Sequence, residues 1–97
     1  YLGIFVVKVL IKSPCSASLI IQYGIKNWPI WEREPCNFSW IYREKEICYI
    51  IEGEAKIKTE AEESYLIKSG DLVEFPKGLS CEWQIIKSIK KHFRLGE

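Results

Sequence analysis

Methionine is absent from these 97 residues, and histidine occurs once, at His92. Without a methionine, Tyr1 is not expected to be a natural start, so an upstream piece is anticipated, either a targeting peptide or a tag. The four cysteines, Cys15, Cys36, Cys48 and Cys81, contain no Cys-x-x-Cys pair, and only His92 is available to assist them. That excludes a zinc knuckle. Charge of one sign is also lacking: 14 Lys and Arg stand against 13 Asp and Glu, for a net charge of +1. Such a chain has no field to gather phosphates, so nucleic acid is not an expected partner. No apolar run is long enough for a membrane, since residues 2–11 give about half a bilayer span and Lys8 interrupts them. No signal peptide is visible, so the thiols are read as reduced. This predicts an intracellular, cytoplasmic protein, or a plastid one if a targeting segment has been removed.

What is present is core-forming material. Hydrophobic residues make up 47% of the chain and aromatic residues 13%, with four tryptophans. A chain of this length builds one core, so residues 1–97 are expected to form one domain, with tryptophans better suited to a barrel or sandwich interior than to a thin helical seam. Residues 4–11 are β-branched and aromatic and predict a strand. Ser13 and Pro14 look like the N-cap and first residue of a short helix that Gly24 would end. From Trp28 onward the period is two. Phe38, Trp40 and Tyr42 share one face; residues 46–51 are apolar on both faces; Glu52-Gly53-Glu54 is a turn or bulge. Residues 55–58 and 64–67 flank a charged hairpin tip, residues 72–75 form a strand, and residues 81–86 and 89–93 are read as two closing strands. Many short strands with regular turns and almost no helix mean a β-sandwich or barrel.

Two stretches carry a resemblance. Glu46-Ile47-Cys48-Tyr49-Ile50-Ile51-Glu52-Gly53 resembles the end of the first cupin motif, a glutamate followed after six residues by glycine. Gly70-Asp71-Leu72-Val73-Glu74-Phe75-Pro76-Lys77-Gly78 resembles the second, with its glycine, proline and glycine. Together with Trp28-Pro29-Ile30-Trp31-Glu32, Phe38-Ser39-Trp40-Ile41-Tyr42, Cys81-Glu82-Trp83 and Lys91-His92-Phe93, they make the chain similar to very small single-domain cupins. That group includes the EutQ-type and ureidoglycine aminohydrolase-like domains. The resemblance implies an all-β, antiparallel, RmlC-like jelly-roll barrel with one short N-terminal helix. It implies no agreed activity.

In metal-binding cupins two histidines, a glutamate and a third histidine converge inside the barrel. Carried over by motif spacing, the histidines fall on Trp40, Tyr42 and Cys81, and only the glutamate, Glu46, is retained. Tryptophan has no lone pair to offer a metal, and no imidazole remains, so neither a metal nor another cofactor is expected. Glu46 and Cys81 should point into the same interior space. What this leaves is an aromatic pocket with a buried carboxylate. Glu46, Tyr42 and Cys81 are the candidate catalytic residues, and Trp40, Trp83 and Cys48 the candidate ligand-binding ones. Burial favours the protonated form of Glu46 unless Arg33, Arg43 or a lysine reaches it. It is then either a working acid or base, or a core acid satisfied by a hydrogen bond from Tyr42. Cys81 is either a nucleophile or an inert thiol against tryptophan, and no histidine adjoins it in sequence. The basic cluster Lys87, Lys90, Lys91 and Arg94 is either a site for an anion or a solvated strand face, and His92 among these charges is read as a surface or interface residue.

Three functions are compatible with this reading. One is a metal-free barrel that binds an unknown small molecule. The second is an acid–base or unorthodox-metal enzyme of the lyase, isomerase or hydrolase kind, acting through Glu46. The third is an interaction module with a filled barrel. Trp40, Tyr42, Trp83, Cys48 and Ile50 are expected to occupy much of the interior. Trp31, Ile41, Ile47, Tyr49 and Ile51, with Phe5, Val7 and Val9, have the opposite parity, and their exposure would favour a homodimer.

Overall fold

A computed structural model describes residues 8–96. Seven strands follow in order: β1 (Leu10–Lys12), β2 (Ile30–Arg33), β3 (Asn37–Ile41), β4 (Glu46–Thr59), β5 (Ser64–Lys68), β6 (Leu72–Phe75) and β7 (Ser80–Leu95). One α-helix, α1 (Ala17–Gln22), and a 3-10 turn (Ile25–Asn27) lie between β1 and β2. All pairings are antiparallel. No helix among the described residues is long and apolar enough to cross a membrane.

The barrel is made by two long strands that each serve two sheets. The first part of β4 pairs with β6 and its second part with β5. The first part of β7 pairs with β3 and its later part with β2. Along nearly their whole lengths β4 and β7 pair with each other, from Glu46 opposite Leu95 to Thr59 opposite Cys81. The register slips between Ile50 and Ala55, where the strands bulge. The inward residues of β4 are therefore Glu46, Cys48 and Ile50 before the bulge, but Ala55, Ile57 and Thr59 after it. A bulge that inserts a residue bends the strand and swaps its faces, which turns one sheet into two facing layers.

Gly53 makes this crossing possible. Its φ is +101°, and a Cβ built there would meet the Ser88 carbonyl oxygen at 2.1 Å and that of Lys87 at 2.8 Å. Only glycine lets β4 lie that close on β7.

The interior is aromatic. Tyr42 stacks on Phe75 with centroids 4.6 Å apart, and Phe38 stacks on Trp83 at 5.8 Å. Phe75 and Trp83, 5.7 Å apart, join the two stacks. A smaller apolar cluster lies elsewhere, where Ile25, Ile47 and Leu72 are buried with Ile20, Tyr23, Trp28 and Tyr49 against them. The N-terminal helical segment thus covers the outer face of β4 and β6.

Four sequence expectations change. The helix starts later than Ser13 and Pro14 suggest: Cys15 N–H bonds to the Gly70 carbonyl at 2.7 Å, and Ser16 is the cap, its Oγ accepting from Leu19 N–H. Cys15 is committed to the sheet's turn, so helix cannot begin before it. The two closing strands are one, β7, because Lys87 and Ser88 stay in the ladder under Gly53. Of the strand predicted over residues 4–11, residues 4–7 lie outside the described residues, and β1 begins only at Leu10 and runs on to Lys12. Finally, the side chains assigned to an exposed patch are mostly covered. Trp31 packs against the core, Ile47 lies under the helical segment, Val9 is buried, and Tyr49 and Ile51 are half-buried. Ile41 does stay exposed, and Phe5 and Val7 lie outside the described residues.

Gly53→Ala should destabilise the fold by about 3 kcal/mol or more, since it adds a backbone clash to an unfavourable φ. The melting temperature should then fall by more than about 10 °C. Gly78→Ala, where φ is +90° but no atom lies within 4 Å of the new Cβ, should cost clearly less. Equal losses in thermal melts of the two variants would show that the close crossing is not the constraint.

Candidate functional site

One end of the interior stays open as a cavity of about 210 Å³. Its walls are the rings of Trp31, Phe38, Trp40, Tyr42, Trp83 and Phe93. Arg33, Glu46 and Lys91 are its charged groups, and Leu95 completes it. The strands account for this gathering. In the β3–β7 register Phe38 faces Trp83 and Trp40 faces Cys81, so both β3 rings share the inward face of β7. β7 also contributes Lys91 and Phe93 at the same parity as Trp83. β2 places Trp31 opposite Lys91.

At the base of the cavity is an ion pair. Lys91 Nζ donates to Glu46 Oε2 at 2.6 Å, and both residues are buried, at 6% and 7% exposure. Glu46 and Lys91 lie on adjacent strands, with Ile50 directly opposite Lys91 and Leu95 opposite Glu46. Their long side chains meet diagonally across the shared inner face. The ammonium also lies 4.9 Å from the ring centroid of Trp31 and 5.0 Å from that of Trp83. Indole faces attract cations, more strongly where water is excluded, so three partners hold the charge of Lys91. Burying two ions costs several kcal/mol each, and contact this close with further polar or π partners is what offsets it.

Tyr42 does not bond Glu46. Its hydroxyl accepts from Trp83 Nε1 at 3.2 Å. Burial raises its pKa far above the ordinary phenol value; the neighbouring Glu46, Cys48 and Cys81 add to this, and the Trp83 bond opposes it. Tyr42 is therefore a neutral phenol throughout the physiological range. Burial likewise pushes the Cys48 thiol up to about 12, Lys91 opposing and Glu46 adding. For Cys81 burial again dominates, raising the thiol to about 11 against lowering by Trp83 and Lys91. A protonated thiol is a poor nucleophile.

Of the six residues singled out from sequence, Trp40, Tyr42, Glu46 and Trp83 line the cavity. Cys48 and Cys81 do not, and pack in the apolar core instead. Glu46 and Cys81 still share the barrel interior. Trp40 lies at the rim, 50% exposed, its ring edge-on to Tyr42. Sequence reasoning named Lys91 only as one of a basic cluster, an anion site or a solvated face, and did not single it out as the lysine that reaches Glu46. Its signal was the odd-numbered series Cys81, Trp83, Ile85, Ile89 and Lys91, all buried on one face of β7. His92 faces the other way and donates from Nδ1 to the Trp28 carbonyl at 2.9 Å, since a carbonyl can only accept.

The positions onto which cupin metal ligands carry over do not fit a metal ion. Trp40 has no lone pair, the Tyr42 hydroxyl already accepts from Trp83 Nε1, and a lysine ammonium already occupies the one carboxylate. Among the described residues no three His, Cys, Asp or Glu side chains converge as a ligand set.

The thiol shifts carry a pH dependence. Folded Cys48 and Cys81 bind their protons more tightly than an ordinary thiol of pKa 9.0, so their contribution to stability is fully present below pH 9. It should be lost as pH rises through about 11 and 12. Native iodoacetamide labelling at pH 8 should modify at most the two half-buried thiols, Cys15 and Cys36, and reach four only after unfolding. Mass spectrometry showing rapid native labelling of Cys81 would contradict the inert assignment.

Comparison with known proteins agrees with this architecture. The sequence profile of the EutQ-like cupin domain matches residues 22–93. A DUF861 family protein from Thermotoga maritima superposes with a TM-score of 0.88 at 40% identity, covering 91% of this chain and 99% of that one. A protein described as ethanolamine utilization protein Q, from Salmonella typhimurium LT2, gives 0.63 at 27% identity over 69% of this chain and 54% of its own. The EutQ protein of Clostridium difficile, at 22% identity and a TM-score of 0.63 over 69% of this chain and 52% of its own, shares the fold. Among curated proteins none matches. With its paired motifs, its bent antiparallel barrel and a family profile spanning most of its length, this chain belongs to the EutQ-like cupin domain family.

Proposed function

We propose that this protein binds a small molecule in the aromatic cavity without the help of a metal. The observation that carries this is the buried Lys91 ammonium, 2.6 Å from Glu46 at the floor of the cavity. It supplies a fixed positive charge at the one carboxylate a metal would need. A filled-barrel module is less well supported, because about 210 Å³ remains open beside a buried charge. An acid–base enzyme is a second reading, favoured by the same pair: a carboxylate and an ammonium in contact beside a ligand-sized space can exchange a proton with a bound substrate. The free thiols support a reducing, cytoplasmic setting.

Elemental analysis of untagged protein should find no manganese, iron, nickel or zinc approaching one per chain. One metal per chain, lost in Glu46→Gln, would overturn the reading. A thermal-shift screen should yield stabilising ligands. At a hundredfold excess over Kd, the stabilisation is about 2.7 kcal/mol. It should shrink in Trp40→Ala, a change at the exposed rim that the core tolerates. A library of small acids, amides and amines that leaves the melting point unmoved would favour the filled-barrel module instead.

A homodimer remains part of this proposal on a narrower basis. Trp40, Ile41 and Leu95, at 50%, 57% and 51% exposure, line one hollow beside the cavity, and a second copy could cover them. Light scattering at micromolar concentration should give twice the chain mass; a monomer that persists on concentration removes the dimer.

A further inference from the structure

The polar content of the cavity is lopsided. Two cations, Arg33 and Lys91, face it with one carboxylate, Glu46. Lys91 is matched to Glu46, whereas Arg33 enters no ion pair among the described residues. The Arg33 guanidinium is nevertheless held at the cavity, its central carbon 4.3 Å from the centroid of the Phe38 ring. Lys91 has three N–H donors, and Glu46 engages one of them. The site therefore holds a surplus positive charge and unspent donors, set into apolar rings.

Resting on the ligand-binding reading above, we propose that the cavity takes a small monoanion: a carboxylate attached to a flat, apolar body. The carboxylate meets the ammonium of Lys91 and the fork of Arg33, whose planar donors match two carboxylate oxygens. The flat body lies against Trp31, Phe38 and Trp40. Size sets the scale. The cavity offers about 210 Å³. A space of this size holds one ring with one small substituent. Charge sets the class. A cationic ligand would face the surplus positive charge, and a neutral one would leave it unanswered. In this arrangement Lys91 neutralises Glu46 and keeps N–H donors for the ligand, while Arg33 supplies the surplus positive charge.

The test uses the full chain and four probes followed by tryptophan fluorescence and calorimetry: benzoate, benzamide, benzylammonium and acetate. Benzoate should bind at least tenfold more tightly than benzamide or acetate, and benzylammonium should not bind. The benzoate preference should fall about tenfold in Arg33→Gln, an exposed position that leaves the core intact. It should also fall in the double variant Lys91→Met with Glu46→Gln, which removes both buried ions together so that neither is left unpaired. Circular dichroism and melting report whether the double variant is folded; if it is not, Arg33→Gln alone decides. Benzamide binding as tightly as benzoate would overturn the anion inference while leaving a ligand-binding cavity in place. Acetate matching benzoate would overturn the flat-body requirement. No binding by any of the four up to millimolar concentration would overturn both the inference and the reading on which it rests.

Discussion

The close crossing of β4 over β7 is the constraint from which the rest follows. Two strands of 14 and 16 residues cannot stay flat and paired along their length while burying one continuous core. The twist must be released somewhere, and it is released between Ile50 and Ala55, where Gly53 lies on the carbonyls of Lys87 and Ser88. Past that point β4 shows its other face to the interior. The edge of β4 away from β7 then takes β6, with β1 beyond it, before the bend and β5 after it, and the far edge of β7 likewise gives places to β3 and β2. The aromatic interior, the covered outer face and the cavity are consequences of that single dislocation.

The Glu46–Lys91 pair is a different kind of feature. Replacing a buried ion pair with apolar groups is often neutral or stabilising, so stability alone is a weak reason for it. Its position is more informative. It lies at the base of the cavity, with the ammonium held over two indole faces, rather than in the densely packed region around Phe75 and Ile57. A buried pair beside an open cavity, held against its desolvation cost, supports the ligand-binding proposal better than it supports a purely structural one. The two thiols behind it have the opposite character: apolar surroundings keep Cys48 and Cys81 protonated and packed as small hydrophobes.

The sequence made some of this legible and hid the rest for physical reasons. The strand over residues 72–75 and the hairpin around residues 59–63 could be read because glycine, proline and charged tips bracket them. Tyr42, Glu46 and Trp83 could be gathered because alternation and motif spacing both place them inward. The continuity of β4 and β7 was hidden, since Glu52-Gly53-Glu54 and Lys87-Ser88 have turn-like composition although each stays within a strand. Lys91 was hidden because lysine beside Lys90 and Arg94 reads as solvated. Only parity with Trp83 and Ile89 marks it as buried, and parity is reliable only once the strand is known to be unbroken. Ser16 displaced Ser13 as helix cap through a tertiary bond, from Cys15 to Gly70, that no local rule contains.

The register of β4 on β7 also orders the closing of the barrel in time. Thr59 and Cys81 are the closest in sequence of the paired residues, while Glu46 and Leu95 are the farthest apart. The entropy lost in joining two positions grows with the chain between them, so zipping favours the Thr59 end and finishes at the Glu46 end. Opening runs in reverse, with the outermost rungs fraying before the inner ones. Glu46 therefore sits at the end of the ladder whose closure spans the longest stretch of chain, and its pairing with Phe75 and its bond from Lys91 tie that end in place.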